Sequence, residues 1–300
     1  MEPDDRFLPK RALLSMQDYL LIVDAAISLG IRKVRLTGGE PTLYPDLDPL
    51  IRELGNRGLD DLAMTTNGWH LDPGRADQWR QTGLVRLTFS LDTLQEDRFR
   101  EITRSESTVD DVLKSVDTAI RSGFSRPKIN VVAIKDFNDD EFVDFAALAR
   151  SRDLDVRFIE YMPLNSARDW TQDQVITANH ILQAIQTRYP LVEETATNPH
   201  STSQRYRFAD ATSGRIGIIA PVTRPFCGAC NRLRVTAEGA VRPCLFSNTE
   251  WDLRPVLRSG ASKADVAAFL RDAVYTKQAG HGIGNENFKQ PARGMSAIGG

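Results

Sequence analysis

Apolar and polar residues change period several times along this chain, and the changes mark its elements. Over residues 16–29, Leu20, Ile22, Val23, Ala26 and Ile27 recur at helical spacing before Gly30, which predicts a helix that stops there. Runs rich in β-branched and apolar residues predict strands at 33–37, 62–65, 85–90, 128–133 and 156–160. Helical patterns fall between them at 47–56, 72–82, 108–122 and 139–152. A repeated βα rhythm needs parallel strands joined by right-handed crossovers, so the sheet is either barrel-like or doubly wound.

Each of these strands ends in a polar or glycine-bearing phrase: Thr37-Gly38-Gly39-Glu40-Pro41, Thr65-Thr66-Asn67-Gly68, Ser90-Leu91-Asp92 and Glu160-Tyr161-Met162-Pro163. In barrel enzymes the carboxyl ends of the strands form the active face, so these phrases should converge on one cavity. From Leu164 the rhythm gives way to a segment with Trp170, a helix at 178–188 and a polar stretch at 193–204. This places a domain boundary near 200, with a barrel-like unit at 1–200 and a smaller one at 201–300. The second unit holds a strand at 215–219, all the cysteines, a helix at 263–275 and a tail ending Gly299-Gly300.

Composition narrows the class. Hydrophobic residues make up 41%, charged residues 26%, and the formal charge is −2 without a polybasic tract, which argues against nucleic acid and anionic lipid as partners. The start, Met1-Glu2-Pro3-Asp4-Asp5, is acidic where a signal peptide is basic, and no apolar stretch is long enough to span a bilayer. The expectation is a cytoplasmic protein.

Three cysteines, Cys227, Cys230 and Cys244, are grouped as C-x-x-C and C, which in a reducing compartment points to metal. The spacing suits zinc if a histidine such as His281 completes the shell, or a 4Fe-4S cluster whose fourth iron is open to a ligand. Arg232 and Arg234, two apart between the second and third cysteines, project from one face of an extended segment and offer planar forks to an anionic or purine ligand. Seen alone, an Arg-x-Arg describes a solvated basic face. Gly38-Gly39 lets a ligand approach the backbone closely, and Glu40 could take a ligand ammonium, although the same phrase also describes a tight turn. Thr66 offers a hydroxyl, and Lys128 opens a strand where it could meet a phosphate.

Together these phrases resemble the GTP 3′,8-cyclase family, the radical SAM enzymes that open molybdenum cofactor (molybdopterin) biosynthesis. RLTGGEPTL at 35–43 carries the superfamily likeness; FCGACNRLRVT, RPCLF and the terminal double glycine carry the family, over a span from Phe7 to Gly300. The resemblance implies an incomplete radical SAM (β/α)6 partial TIM barrel, its first strand missing, with a smaller C-terminal cluster-binding domain. It implies conversion of GTP to (8S)-3′,8-cyclo-7,8-dihydroguanosine 5′-triphosphate. Cys227, Cys230 and Cys244 match the C-terminal 4Fe-4S ligands; Arg35, Thr66, Lys128, Arg232 and Arg234 match GTP contacts; Gly39, Ser90 and Met162 match positions lining S-adenosylmethionine. No acid–base catalytic residue is assigned. Partners so implied are GTP, an electron donor and the next pathway enzyme, cyclic pyranopterin monophosphate synthase, with room for a homodimer.

The family also carries C-x-x-x-C-x-x-C on the loop after the first barrel strand, holding a second, N-terminal 4Fe-4S cluster. This chain begins where that loop should already have ended, and no other cysteine can substitute. The expectations are a GTP 3′,8-cyclase by descent that is catalytically inert as the chain stands, and a strand near Lys33 that lacks its outer partner. The rivals are a non-catalytic truncated homologue that keeps GTP and one cluster, and a zinc-binding barrel enzyme.

Overall fold

The computed structural model describes residues 8–164, 170–286 and 288–298. Phe7 and the Gly299-Gly300 tail, both part of the resemblance, lie outside the described residues. Helix α1 (Met16–Ser28) begins at Ser15, whose hydroxyl accepts the Asp18 amide while the Asp18 carboxylate accepts the Ser15 amide. There follow β1 (Lys33–Leu36), α2 (Leu47–Gly55), β2 (Asp61–Thr66), α3 (Pro73–Gln81), β3 (Arg86–Ser90), α4 (Glu96–Thr103), α5 (Val109–Arg121), β4 (Lys128–Ala133), α6 (Phe142–Arg152) and β5 (Asp155–Glu160). Next come α7 (Ala178–Gln186), an antiparallel pair β6 (Leu191–Glu194) and β7 (Gln204–Phe208), and β8 (Arg215–Ile219). The remainder is β9 (Arg234–Val235), β10 (Ala240–Arg242), β11 (Trp251–Asp252), α8 (Arg254–Arg258), α9 (Lys263–Tyr275) and α10 (Met295–Ile298).

Eight strands form one sheet in the order β1-β2-β3-β4-β5-β8-β7-β6, so it takes strands from both sides of residue 200. The first six in that order run parallel; β7 runs antiparallel to β8, and β6 antiparallel to β7. The sheet is an incomplete barrel, open between β1 and β6, and β1 pairs with β2 alone among the described strands. A separate three-stranded sheet, β11-β10-β9, belongs to the C-terminal part. Two elements escape the hydrophobic pattern. Helix α4 buries only Phe99, and the polar stretch after Glu193 proves to be the loop and flanks of the β6–β7 hairpin.

Alternation along the parallel strands separates two environments. Leu62, Met64, Leu87, Phe89, Ile129, Val131, Val156, Phe158, Ile216 and Ile218 point outward into the main core beneath the helices, all buried. Their neighbours Arg35, Asp61, Arg86, Lys128, Asp155, Arg157 and Arg205 point to the concave side and line a cavity. Parallel sheets covered by helices on both faces read as continuous apolar runs, so polar alternation here marks a face left for something other than protein. Close backbone packing sets the outer layer: a Cβ on Gly55 would fall 1.8 Å from the Thr82 carbonyl oxygen. A second core joins the two ends of the chain, with Ile22, Ala25 and Ala26 of α1 against Val266, Leu270 and Ala273 of α9 and Val241 of β10.

Candidate functional site

Strand register gathers the inward side chains. Lys128 lies opposite Thr88 on one side and Asp155 on the other; Arg157 lies between Asn130 and Gly217, and Gly217 faces Arg205. Gly217 matters because a Cβ there would sit 3.0 Å from Cγ of Arg157 and 2.5 Å from the Ser203 hydroxyl, so its absence lets the arginine stem lie across the sheet. The cavity they line encloses about 1790 Å3 and continues along α1 and the free edge of β1.

Some of its charges are matched. Arg86 Nε donates to Asp61 at 2.8 Å, Lys128 Nζ is 3.5 Å from Asp155, and Arg215 and Arg205 share Glu194 at 3.0 and 3.8 Å. Arg35, Arg157 and Arg234 have no ion-pair partner among the described residues. Burial lowers Lys128 to about 8, helped by Arg157 and opposed by Asp155. Burial likewise brings Arg157 to about 10 against the pull of Asp155, with Arg35, Arg86 and Arg205 adding to the shift. Arg234 falls to about 10 through burial and Arg232, opposed by Cys230 and Cys244. Burial and Arg86 lower Arg35 as well, opposed by Asp61; the side chain lines the cavity and keeps exposed surface. Enclosed like charges that depress one another create a strong preference for an anion between them.

The cysteines lie beside this cavity. Cys227 opens a single tight turn in which the Cys230 amide donates to the Cys227 carbonyl at 3.0 Å, while the Ala229 carbonyl accepts from His200 Nδ1 at 2.7 Å. In the β9–β10 hairpin Arg234 pairs with Arg242, so Arg232, two residues before, and Cys244, two after, leave it at the same end. Arg242 is fully buried; it donates to the Leu245 and Ser247 carbonyls at 3.2 and 2.7 Å and pairs with Glu250, which fixes the loop carrying Cys244. The Cys230 sulfur accepts from Arg232 Nε at 3.4 Å and Lys277 Nζ at 3.5 Å. Burial would raise this thiol, but the Arg232 hydrogen bonds and the two positive charges bring it down to about 7.

The donors discriminate between metals. Among the described residues no three His, Cys, Asp or Glu side chains stand close enough to hold a single ion. His281, the candidate fourth zinc ligand, is otherwise engaged: its Nε2 donates to the Pro221 carbonyl at 2.7 Å and its Nδ1 accepts the Ile283 amide at 3.0 Å, leaving no lone pair for a metal. That removes His281 as the fourth ligand of a zinc site. Cys227, Cys230 and Cys244 are free and half-buried, and thiolates are the donors a four-iron cube takes, each on a different iron. The residues do not fit a second cluster, because the chain holds three cysteines in all.

Of the residues singled out from sequence, Arg35, Gly39, Lys128, Arg232 and Arg234 line the one cavity. Thr66 stands behind its wall, donating at 2.8 Å to Glu40 and accepting the Gly68 amide at 3.1 Å. Glu40 also accepts from Thr42 and from the Asn67 amide, so its carboxylate ties the loops after β1 and β2 together instead of standing free for an ammonium. A Cβ on Gly39 would meet nothing within 4 Å, which leaves bare backbone open to a ligand at the β1 end. Ser90 is exposed at the end of β3, and Met162 is half-buried against Leu164, Leu245, Phe246 and Ile298. Ile298, just before the terminal glycines, lines the cavity. Arg86, Arg157 and Arg205 were not singled out, although strict alternation in Arg-Leu-Thr-Phe and Asp-Val-Arg-Phe carried the signal.

Comparison with known proteins agrees with this arrangement. Residues 2–149 match the radical SAM superfamily and residues 154–283 match Molybdenum Cofactor Synthesis C. The chain is 40% identical over 303 aligned positions to a GTP 3′,8-cyclase of Rhodopirellula baltica, covering all of this chain and 84% of that protein. It is 38% identical to one of Desulforamulus reducens, covering 97% and 89%, and 40% identical to one of Streptomyces coelicolor, covering 98% and 86%. Among solved structures, Streptococcus suis SuiB superposes with a TM-score of 0.57 at 15% identity, over 90% of this chain and 61% of that one. At that identity the likeness speaks for the fold alone. No helix among the described residues is long and apolar enough to cross a membrane.

Proposed function

The chain belongs to the GTP 3′,8-cyclase family of radical SAM proteins, and on that premise we propose that its cavity takes GTP beside a 4Fe-4S cluster held by Cys227, Cys230 and Cys244. The observation that carries this reading is the set of guanidiniums without an ion-pair partner among the described residues, Arg35, Arg157 and Arg234, which line one cavity with Lys128. A triphosphate supplies the anion they lack, and planar forks bind phosphate oxygens two at a time. Arg232 and Arg234 would hold the nucleotide at the cluster end, and Arg35, Lys128 and Arg157 on the sheet side. Thr66 would act through the loop it fixes with Glu40. Bare backbone at Gly39, with Ser90 and Met162, would line the place of S-adenosylmethionine.

In the complete family reaction the cluster anchors the substrate and S-adenosylmethionine supplies a radical. The residues of this chain bind, orient and shield: no acid–base pair is required of them, which is why cationic side chains dominate the site. We divide the labour near residue 200, with 1–200 supplying β1 to β6 and most of the cavity wall, and 201–300 supplying β7 and β8, the cluster ligands and the arginine pair. The working environment proposed is the cytoplasm, with an external electron donor and cyclic pyranopterin monophosphate synthase as partners, and a homodimer as the assembly.

The 300 residues hold no thiols for a second cluster, so this polypeptide by itself should bind GTP without generating a radical. Anaerobic reconstitution followed by iron analysis, GTP binding and assay for 5′-deoxyadenosine tests both halves. One four-iron cluster, GTP binding weakened by Arg234→Ala and no 5′-deoxyadenosine are expected. Zinc in place of iron would overturn the cluster, GTP binding indifferent to Arg234→Ala would overturn the cavity, and 5′-deoxyadenosine release would overturn the inert reading.

A further inference from the structure

One sulfur of the three is treated differently from the others. Lys277, directly after α9, donates at 2.7 Å to the Arg232 carbonyl and at 3.5 Å to the Cys230 sulfur, so its ammonium spans the Cys230-Asn231-Arg232 segment. Its base is anchored: the Lys277 amide donates to the Val274 carbonyl at 2.9 Å, and the neighbouring Thr276 hydroxyl accepts from the Trp251 indole at 3.2 Å. Arg232 adds a second cationic donor to the same sulfur, its guanidinium seated 5.1 Å over the Phe226 ring. Cys227 and Cys244 have no side-chain donor of this kind among the described residues. Arg232 lines the cavity, whereas Lys277 lies outside its lining.

We propose that Lys277 is a positioning residue of the cysteine centre: it fixes the Cys230 sulfur against the Arg232 backbone and raises the electron affinity of the cluster held there. The inference rests on the cluster reading above. Reduction adds negative charge that is shared with the thiolates, so a fixed cation hydrogen-bonded to one of them favours the reduced state.

The test has two arms, both on the 300-residue chain. In the first, the reconstituted protein is titrated electrochemically and the reduced cluster followed by electron paramagnetic resonance. Lys277→Met is expected to shift the one-electron reduction equilibrium about tenfold toward the oxidised form, about 59 mV in midpoint, and Lys277→Arg to restore it. An unchanged midpoint in Lys277→Met at full iron content overturns the proposal. In the second arm, the metal-free protein is alkylated with iodoacetamide and each cysteine read by mass spectrometry. Lys277→Met is expected to change the rate at Cys230 about three- to tenfold and to leave Cys227 and Cys244 unchanged, because only Cys230 is contacted by Lys277. An unaffected Cys230 overturns it as well. The second arm decides if Lys277→Met takes up no iron. Failure of the unsubstituted chain to assemble a cluster would count against the proposed function instead, while alkylation still reads the Lys277–Cys230 contact.

Discussion

The two faces of the parallel sheet are built from the same strands, residue by alternate residue, yet they answer opposite demands. The outer face is satisfied by protein: Phe158 is fully buried, with its ring edge-on to Phe142 at 5.2 Å and to Phe145 at 6.1 Å. Its strand neighbour Arg157, on the inner face, has no ion-pair partner among the described residues and has like charges around it. On the proposed function, stability comes from one face and recognition from the other. The concave side therefore tolerates unfavourable electrostatics in the absence of a ligand, because the convex side has stability to offset it.

Adjacent substitutions in β5 test this separation most sharply. Phe158→Ala should cost about 3–5 kcal/mol of unfolding free energy, from lost burial and the void left behind, measured as a fall in the urea midpoint at unchanged slope. A loss under about 1 kcal/mol would break the comparison, since the outer face would then not be the seat of stability. Arg157→Met should do the reverse, leaving the thermal midpoint unchanged or higher while weakening GTP binding at least about tenfold by calorimetry. Destabilisation with unaltered GTP affinity would place Arg157 among the structural residues.

Asp92, at the carboxyl end of β3, gives the smallest effect and one that depends on pH. Burial raises its carboxyl to about 6, opposed by a hydrogen bond from the Val132 amide at 2.8 Å. Its folded value lies above the unfolded one, so the folded chain holds the proton more readily. The ionisation penalty is complete above about pH 6 and gone below about pH 4. Asp92 retains some accessible surface, which softens the penalty. Asp92→Asn should stabilise the protein by about 1–2 kcal/mol at pH 7.5, with the advantage vanishing as pH falls to 4. An equal advantage at both pH values would assign the effect to packing rather than charge.

Much of this was legible before the fold was known, and the exceptions have physical causes. The helix at residues 16–28 and the strands at 128–133 and 215–219 were marked by periodicity and turn residues, because those signals are local. Helix α4 buries one apolar residue and so leaves no periodic trace. The site divides in the same way. Gly39, Lys128, Arg232 and Arg234 stood in recognisable phrases and line one cavity. Lys277 meets Cys230 only because α9 folds back across the hairpin, a contact 47 residues distant in sequence. His281 stood at a suggestive distance from the cysteines, but spacing could not show that both ring nitrogens were already engaged.

The packing of α1 on α9 sets a schedule for biosynthesis. The apolar side of α1, with Ile22, Ala25 and Ala26, is covered by Val266, Leu270 and Ala273, and the Leu14 amide reaches the Ala237 carbonyl at 2.8 Å. A ribosome adding about 5–20 residues each second emits α1 some tens of seconds before α9 clears the exit tunnel. For that interval the side of the first helix that α9 covers in the finished fold waits for the part of its core that is made last.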